Sequence, residues 1–297
     1  MNAPVVSIIL VNYNTAQLTC DCIQSIYNQV HSVAYEIIMV DNASKDSSVE
    51  DVKRLFPEVV IIESAQNLGF GRANNLGVKQ AKGEYLFLLN TDTLLLNDPF
   101  PYFLNVIASK EKVGVIGAFL KDKNGEYVES GGENYSIKQR LKYALIGTLR
   151  LSYPEKCDFS KDLAEVDFVI GADMFFPKDV FVKHNGFDDR IFMYFEEADL
   201  CKRIQKDGYR LYLTKGPEIV HLIKGSSNGK GSMFSKIHTN ASIMYVIRKE
   251  SNWLTFRAFQ LLFFIIKSPV LLDFRYTFKE NWEYLTSIYN YKKYLNY

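Results

Sequence analysis

The sequence predicts an α/β fold built on a mostly parallel sheet that is flanked by helices. Two observations support this prediction. Short, almost continuously apolar segments rich in β-branched residues recur in the first third of the chain, as in strands that are covered on both faces. Stretches with helical spacing of apolar residues separate them, and this alternation is typical of βαβ units.

The alternation can be followed along the chain. The predicted order is strand 5–11, helix 15–29, strand 35–40, helix 46–55, strand 59–63, helix 70–82 and strand 84–89. It continues with helix 99–110, strand 113–120, a turn at 121–127, an irregular and mixed segment at 130–165, strand 165–170, helix 196–207 and strands 209–213 and 218–221. From about residue 229 the chain is helical, basic and aromatic, so we expect a domain over 1–228 and an extension over 229–297.

Composition bounds the class of protein. The chain has 297 residues, 47% of them hydrophobic, and a formal net charge of +1. These values are typical of a globular protein and argue against a nucleic-acid-binding protein whose whole surface is basic. The four cysteines form no CxxC pair, which favours a reducing compartment. The N-terminus lacks a basic segment and a cleavage site, so no signal peptide is predicted and we expect a cytoplasmic protein.

Polar side chains follow each of the first four predicted strands. They are Asn14 after the first strand, Asp41 and Asn42 after the second, Asn67 after the third, and Asn90 and Asp92 after the fourth. Any one of them could be a turn former or a helix cap. Because the carboxyl ends of parallel strands meet at one edge of a sheet, where ligands bind in α/β proteins, together they predict a polar crevice there.

Two nucleotide-binding classes are disfavoured by the absence of glycine after the first strand. The segment at 11–14 reads VNYN, whereas a dinucleotide-binding fingerprint requires glycines there. A nucleotidyltransferase would also need a glycine-rich, basic first loop. The segment GFGRAN at 69–74 ends in Asn74 and opens the third helix, so it does not supply the missing fingerprint.

Seven motifs occur in an order that resembles one enzyme family. They are SIILVNYN, VDNAS, NLGFGRANN, FLLNTDT, GADMFF, FMYFEEADLCKRI and VHLIKGSS, spread over about residues 5–228. They resemble the family 2 inverting glycosyltransferases of the GT-A fold, above all the subgroup that includes bacterial rhamnosyltransferases. The resemblance implies a Rossmann-like sheet, with a nucleotide-binding half at about 1–95 and an acceptor and catalytic half at 96–228.

The resemblance also implies a site for a nucleotide-sugar donor. Val11 and Tyr13 would contact the nucleotide and Asp41 would accept a hydrogen bond from its base. The remaining implied donor-site residues are Asn12, Asn67, Asn90, Thr91 and Asp92. The last three resemble the family's D-x-D motif, from which Asn90 departs by carrying no charge.

A divalent metal is part of the implied site. Asp92 would be one ligand and His221 would complete the set, although a lone histidine can also be a core or surface residue. Oxygen ligands and phosphate oxygens suit a hard cation such as Mg²⁺ or Mn²⁺.

The segment Glu196-Glu197 resembles the family's Glu-Asp pair, whose second residue is the general base, and departs from it because Glu197 is one methylene longer than Asp. This maps the base to Glu197, because a sugar hydroxyl is a poor nucleophile unless its proton is removed. Glu196 would point about 100° away on the same helix. Asp173, in the motif GADMFF, is the reserve candidate for the base.

Two carboxylates of this helix have ordinary structural interpretations. Glu196 in a first turn is favourable for the helix dipole, and Asp199 can pair with Lys202 or Arg203.

The expected activity is metal-dependent, inverting transfer of a sugar from dTDP-rhamnose or another nucleotide-diphosphate hexose. The acceptor would be a hydroxyl of a cell-surface glycan or a lipid-linked saccharide, with contacts in segment 130–165. A non-catalytic nucleotide-sugar-binding or scaffold protein is the alternative. A processive synthase is disfavoured, since the chain lacks a Q-x-x-R-W motif and has no convincing membrane span.

The extension 229–297 carries ten basic and four acidic residues and both tryptophans. Its segment 253–272 has the length of a membrane span, but Arg257, Gln260 and Lys267 interrupt it. Aromatic and basic side chains favour a membrane–water boundary. We therefore expect peripheral contact with an anionic membrane, with a helical cap on the catalytic domain or a homodimer interface as the alternatives.

Overall fold

The first third of the chain alternates between strand and helix, as predicted. The computed structural model describes residues 3–132, 136–149, 157–222 and 232–295. Its first elements are β1 (Val6–Asn12), α1 (Ala16–Gln29), β2 (Tyr35–Asp41), α2 (Ser48–Leu55), β3 (Val60–Glu63), α3 (Phe70–Val78) and β4 (Tyr85–Asn90).

The middle of the chain is more mixed. It contains β5 (Thr93–Leu95), α4 (Phe100–Ser109), β6 (Val113–Ala118), β7 (Gly131–Gly132), α5 (Ile137–Thr148), β8 (Leu163–Val166), β9 (Phe168–Val169), β10 (Asp173–Pro177), α6 (Lys178–Lys183), α7 (Glu196–Lys206), β11 (Arg210–Thr214) and β12 (Ile219–His221). The last part is helical: α8 (Met233–Glu250), α9 (Trp253–Lys267), α10 (Phe278–Thr286), and the 3₁₀ segments Ser268–Leu272 and Tyr291–Tyr294.

Eight strands form one sheet in the order β3-β2-β1-β4-β10-β6-β11-β8. The four strands β3, β2, β1 and β4 are mutually parallel, whereas β10 runs antiparallel to both of its neighbours, β4 and β6. In this register Asn12 lies beside Asp41, and Val11 beside Asn90. The predicted α/β fold with a mostly parallel sheet is therefore confirmed, and the polar strand ends lie at one edge.

The sheet separates two hydrophobic cores, which explains why its strands are apolar at successive positions. On β1, Ile8 and Leu10 pack into one core with α1 and α4. Ile9 points into the other core, with α6 and α7. Since successive side chains of a strand point to opposite faces, a strand covered on both faces favours apolar residues at successive positions.

A third core joins the helical extension to the rest of the molecule. Residues of α8, α9 and α10 pack around Ala144 of α5 and Ile191, which precedes α7. The extension therefore packs against α5 and against the segment that leads into α7.

Trp253–Leu272 is the one stretch of the described residues that has the length and apolarity of a membrane span, with 22% of its most apolar part buried. A single helix of this kind is weak evidence for a span, because core helices share these properties.

Three predicted elements differ from the structure. Helix 70–82 ends at Val78, because the chain tightens into turns and Gly83 then packs against the backbone of Ser7. The strand predicted at 165–170 is divided at Asp167: β8 pairs with β11 at the sheet edge and β9 pairs with β7. The segment 130–165, predicted to be irregular, contains α5, which Ser136 caps by accepting a hydrogen bond from the Gln139 amide.

Parts of two predicted segments lie outside the described residues. They are residues 223–228, which include most of the motif VHLIKGSS, and residues 133–135 and 150–156 of the segment 130–165.

Gly69 is required where the chain enters α3. Its φ is +79°, and a Cβ placed there would lie 1.9 Å from the carbonyl oxygen of Phe192. The following amide, that of Phe70, donates a hydrogen bond to the same oxygen. The glycine in GFGRAN thus allows α3 to dock against the segment that leads into α7, which is why the motif is present without a dinucleotide site.

We predict that Gly69→Ala destabilises the protein far more than Gly125→Ala. Both glycines have positive φ, but nothing lies within 4 Å of a Cβ at Gly125. Left-handed strain of about 1–2 kcal/mol applies to both variants, and overpacking adds about 1–3 kcal/mol at Gly69 alone. Urea unfolding of the two variants measures the difference. Equal losses would contradict the close approach of Gly69 to Phe192.

Candidate active site

The side chain of Asn12 organises the end of the central strand. It is fully buried, its amide donates to Asp41 (2.8 Å) and Ser44 (2.9 Å), and its carbonyl oxygen accepts from Thr15 (2.8 Å) and Thr19 (2.7 Å). These four bonds use the whole hydrogen-bonding capacity of the amide. Asn12 therefore fixes the loops after β1 and β2 relative to each other and to the start of α1.

Asp41 is 4% exposed and is held by its neighbours. One carboxylate oxygen accepts from Asn12, and the other accepts from the Ser44 amide at 3.0 Å. A carboxylate has about four acceptor positions, so it retains capacity for a further donor. Next to it Tyr13 is 48% exposed and Val11 is partly exposed.

Asn67 shapes the entry to α3. Its side-chain oxygen accepts from the Asn42 amide group and from the Gly69 backbone, both at 2.9 Å. Asn42 in turn accepts from the Leu68 backbone. The polar residues after β2 and β3 thus bond to one another and connect the two loops.

Asp92 and His221 form a second centre at the same edge. The antiparallel pair β5–β12 sets His221 opposite Thr93, and this pairing brings His221 Nε2 to 3.4 Å from Asp92 Oδ1. Thr91 is buried, and its hydroxyl lies 3.3 Å from that of Thr15 in the loop after β1. The Asn90-Thr91-Asp92 segment is therefore next to the hydrogen-bonded cluster around Asn12 and Asp41, which we call the Asn12–Asp41 centre.

The chemistry of this pair fits a divalent cation. Metal–oxygen distances of about 2.1 Å put neighbouring ligand atoms about 3 Å apart, close to the separation of the Asp92 and His221 atoms. The other ring nitrogen of His221 is buried and has no hydrogen-bond partner among the described residues. Within those same residues no group of three acidic, histidine or cysteine side chains could hold a metal, so further ligands would have to come from a bound diphosphate or water.

Backbone geometry presents Glu197 at the start of α7. The two preceding residues, Tyr194 and Phe195, have φ of +67° and +71°. This left-handed conformation costs non-glycine residues roughly 1–3 kcal/mol each. Such strain persists where the surrounding structure imposes it, which is common at functional sites.

The two glutamates differ in their environments. Burial raises the pKa of Glu197, which is half-buried, to about 7; Glu129 adds to this rise and Arg140 opposes it. Burial, together with repulsion from Glu197, raises the pKa of Glu196 well above its usual range. Because the pKa of Glu197 is close to neutral pH, Glu197 is the member of the pair that is suited to accept a proton there.

The reserve candidate, Asp173, lies in a different setting. It has no exposed surface, one carboxylate oxygen accepts from the Ala118 amide at 2.6 Å, and burial raises its pKa well above the usual range. A carboxyl with no exposed surface cannot reach an acceptor hydroxyl in this conformation, so Asp173 does not serve as the base.

The extension holds α7 in place through ion pairs that sequence reasoning missed. Lys249 of α8 bonds Asp199 at 2.6 Å and Asp188 at 2.8 Å. Asp199 also pairs with Arg203 at 2.8 Å, as predicted, whereas Lys202 pairs with Glu250 instead. The partners are about 50 residues apart in sequence, so no local pattern indicates them.

A cavity of about 550 Å³ is lined by Tyr194, which lies in the segment that leads into α7, and we call it the cavity beside Glu197. Its lining includes Glu129 and Arg140, the two charged residues that affect the pKa of Glu197, and also Lys236 and Lys267 of the extension. The sequence contained no signal for these four residues beyond the general placement of acceptor contacts in segment 130–165.

The structure thus groups the predicted residues into two parts. The implied donor-site residues and His221 lie at the carboxyl edge of the parallel strands. Glu197 lies on α7, and no hydrogen bond or ion pair joins it to Asp92 in the part of the chain that the structure describes.

Comparison with known proteins identifies the fold. The chain is similar to the mannosyltransferase PcManGT from Pyrobaculum calidifontis, solved in complex with GDP-Man and Mn²⁺, with a TM-score of 0.58 and 15% identity, covering 99% of this chain and 88% of that one. At this identity the likeness shows the fold, which is the GT-A fold of glycosyltransferases.

Sequence comparison identifies the family. The family model for glycosyl transferase family 2 matches residues 7–181. The N-acetylglucosaminyl-diphospho-decaprenol L-rhamnosyltransferase of Mycobacterium tuberculosis is 22% identical over 233 residues, which are 73% of this chain and 76% of the relative. Rhamnosyltransferase WbbL of Escherichia coli is 26% identical over 228 residues, 72% and 83% of the two chains. The chain belongs to glycosyl transferase family 2 and is a rhamnosyltransferase-like glycosyltransferase, so the predicted resemblance is confirmed.

Proposed function

We propose that this protein is a metal-dependent, inverting glycosyltransferase that acts on a nucleotide-diphosphate hexose such as dTDP-rhamnose. The acceptor is a hydroxyl of a lipid-linked saccharide or cell-surface glycan. The observation that carries the proposal is the Asp92–His221 pair at the edge where the parallel strands end, next to the Asn12–Asp41 centre. This is the edge at which α/β sheets bind nucleotides.

The donor occupies the first half, 1–95, in this proposal. Tyr13 and Val11 are exposed enough to contact the nucleoside, and Asp41 has spare acceptor capacity for the base. Asn12 and Asn67 shape the crevice through their internal hydrogen bonds. Asn90, Thr91 and Asp92 lie where the diphosphate would be.

Asp92 and His221 would hold Mg²⁺ or Mn²⁺ together with the donor diphosphate. When bound, such a cation neutralises the negative charge that develops on the leaving diphosphate. The histidine nitrogen favours Mn²⁺ over Mg²⁺, since Mg²⁺ prefers oxygen ligands.

Glu197 acts as the general base. The acceptor oxygen bonds to the anomeric carbon as the bond from that carbon to the diphosphate oxygen breaks, and the hydroxyl proton passes to the Glu197 carboxylate. Attack on the face opposite the leaving group inverts the anomeric carbon. A base with a pKa near the working pH is most effective in such a transfer.

A lipid-linked acceptor is supported by the name of the mycobacterial relative, whose acceptor is a diphospho-decaprenol saccharide. We assign acceptor binding to the second half, 96–228, together with the extension, because the cavity beside Glu197 is lined by both. Such acceptors are presented at a membrane, which fits a cytoplasmic protein that contacts the membrane face.

The alternative is a nucleotide-sugar-binding or scaffold protein without catalytic activity. It is favoured by the two departures from the family pattern, Asn90 and the second glutamate. The raised pKa of Glu197 argues against it, because a scaffold gains nothing from a desolvated carboxylate that lowers its stability.

The extension supports peripheral contact with an anionic membrane. Eleven of the twenty-one exposed large hydrophobic side chains in the described residues belong to it. Those that form what we call the apolar surface are Trp253, Leu254, Leu261, Leu262, Ile265, Leu272, Phe274, Phe278 and Trp282. Arg275 and Lys279 lie among them in sequence, and such a mixture of aromatic and basic side chains fits a lipid headgroup region.

Asp92→Ala should abolish the metal-dependent stabilisation of the protein by dTDP while leaving the fold intact, because it removes the carboxylate ligand. Thermal unfolding with dTDP and Mn²⁺, with and without EDTA, measures this effect. Asp162→Ala, at a fully exposed carboxylate, is the matched control. If Asp92→Ala retains the metal-dependent shift of the wild type, the Asn90-Thr91-Asp92 segment is only a turn.

Glu197→Gln should keep donor binding and lower the rate of transfer by on the order of a hundredfold or more. The wild-type rate should rise with pH and level off above about pH 7, since the base must be deprotonated and the pKa of Glu197 is about 7. The rate of transfer from dTDP-rhamnose, measured between pH 5 and 9, tests both statements. Glu196→Gln is the control, with a smaller defect. Undiminished transfer by Glu197→Gln would rule out the assigned base.

Phe274→Ser combined with Phe278→Ser should weaken binding to phosphatidylglycerol vesicles, because these side chains are 94% and 68% exposed. Vesicle flotation measures this binding, which should also weaken as salt is added. Leu55→Ser with Val182→Ser, at exposed positions outside the extension, is the control pair. Two results together would contradict membrane contact: the wild type does not bind these vesicles at low salt, and it forms dimers that the double variant does not form. They would assign the apolar surface to contact with a second copy of the chain.

A further inference from the structure

Two lysines of the extension line the cavity beside Glu197. Lys236 of α8 and Lys267 at the end of α9 are both half-buried. They come from separate helices, and the third core holds those helices together. The packing of α8 and α9 therefore fixes where the two lysines lie in the molecule.

The same two lysines line a second cavity, of about 520 Å³. Tyr284 is also common to both cavities, so they adjoin each other. The rest of the second lining includes the charged pair Asp273 and Arg275, and Leu272, which is 73% exposed and belongs to the apolar surface. The two lysines therefore lie between the cavity beside Glu197 and a cavity that reaches the apolar surface.

The two cations have no carboxylate partner within 4 Å in the part of the chain that the structure describes. Lys236 donates to the Tyr276 hydroxyl at 3.2 Å and lies 4.3 Å from the centre of that ring. Lys267 reaches the Ala144 carbonyl at 3.5 Å. Asp273 is near Lys236, but it is bonded twice by Arg275, at 2.6 and 2.8 Å.

This arrangement is costly without an anion. Burial lowers the pKa of Lys267, and repulsion from Lys236 lowers it further. Desolvated like charges are destabilising unless an opposite charge is bound between them. Phosphate oxygens are well suited to that role, because a lysine ammonium is a common phosphate ligand.

We propose that Lys236 and Lys267 bind the diphosphate group of a lipid-linked acceptor. This inference rests on the proposed function and deepens it, because it assigns the acceptor class to a site in this chain. The saccharide would lie toward Glu197, and the isoprenoid chain would leave over Leu272 to the apolar surface. A volume of about 500 Å³ for each cavity is in the ordinary range for ligand sites.

The test is calorimetric titration with farnesyl diphosphate in EDTA, where the metal-dependent donor site is silent. We expect the wild type to bind farnesyl diphosphate and to bind farnesol at least tenfold more weakly. Lys236→Gln with Lys267→Gln should weaken farnesyl diphosphate binding at least tenfold, and each single variant severalfold. Lys292→Gln, which removes an exposed charge from the same extension, is the matched control and should bind like the wild type.

Two outcomes overturn the inference directly. They are a wild type that does not bind farnesyl diphosphate, and a double variant that binds it with wild-type affinity. If the double variant does not unfold cooperatively and is therefore misfolded, the two single glutamine variants and the charge-preserving Lys267→Arg replace it in the test. The inference then requires that the affinity for farnesyl diphosphate falls in both glutamine variants and is retained in Lys267→Arg.

A second arm separates the acceptor from a membrane headgroup. Flotation with phosphatidylglycerol vesicles should be equal for the wild type and the double variant. Loss of flotation with unchanged farnesyl diphosphate binding would assign the lysines to lipid headgroups and overturn the inference. Asp92→Ala should bind farnesyl diphosphate normally, so a failure of the proposed metal-dependent transfer is distinguishable from a failure of the acceptor site.

Discussion

The hydrogen bonds of Asn12 are the constraint on which the donor side of the molecule depends. A buried primary amide at the end of the central strand must satisfy four hydrogen-bonding positions, and all four partners come from loops or helix starts at the crevice. An unsatisfied buried polar group costs about 1–3 kcal/mol, so the loops after β1 and β2 have little freedom. Asp41 and the exposed ring of Tyr13 are positioned as a consequence.

On the acceptor side the corresponding constraint is the attachment of α7 to the extension. Lys249 lies between Asp188 and Asp199 and joins α8 to both ends of the loop–helix segment that carries Glu197. The left-handed residues Tyr194 and Phe195 lie within that segment. The ion pairs and the third core supply the stabilisation that this strained entry to α7 requires, so the extension helps to position Glu197.

The two sides differ in their electrostatics, and the difference suits the two halves of a transfer reaction. The donor edge offers a carboxylate and an imidazole that together suit a cation and a diphosphate. The cavity beside Glu197 combines that carboxylate, whose pKa is raised to about 7, with the ammonium groups of Lys236 and Lys267, which have no carboxylate within 4 Å among the described residues. An anionic carrier would therefore be attracted to the side of the site that the donor does not occupy.

The sequence by itself determined the alternation of strands and helices as far as β4, the double coverage of the sheet and the polar edge, because these follow from periodicity and from the position of Asn and Asp after each apolar run. It also indicated Asp92, His221 and Glu197, through motifs that are local in the chain. Tertiary structure alone decided that Asp41 is bonded within the protein, that Asp173 is enclosed, and that α5 and the extension complete the cavity beside Glu197. The physical reason is that burial and charge neighbours set these properties. The residues that supply them, such as Arg140 and Lys267, are separated from Glu197 by more than 50 positions and meet it only after the chain has packed.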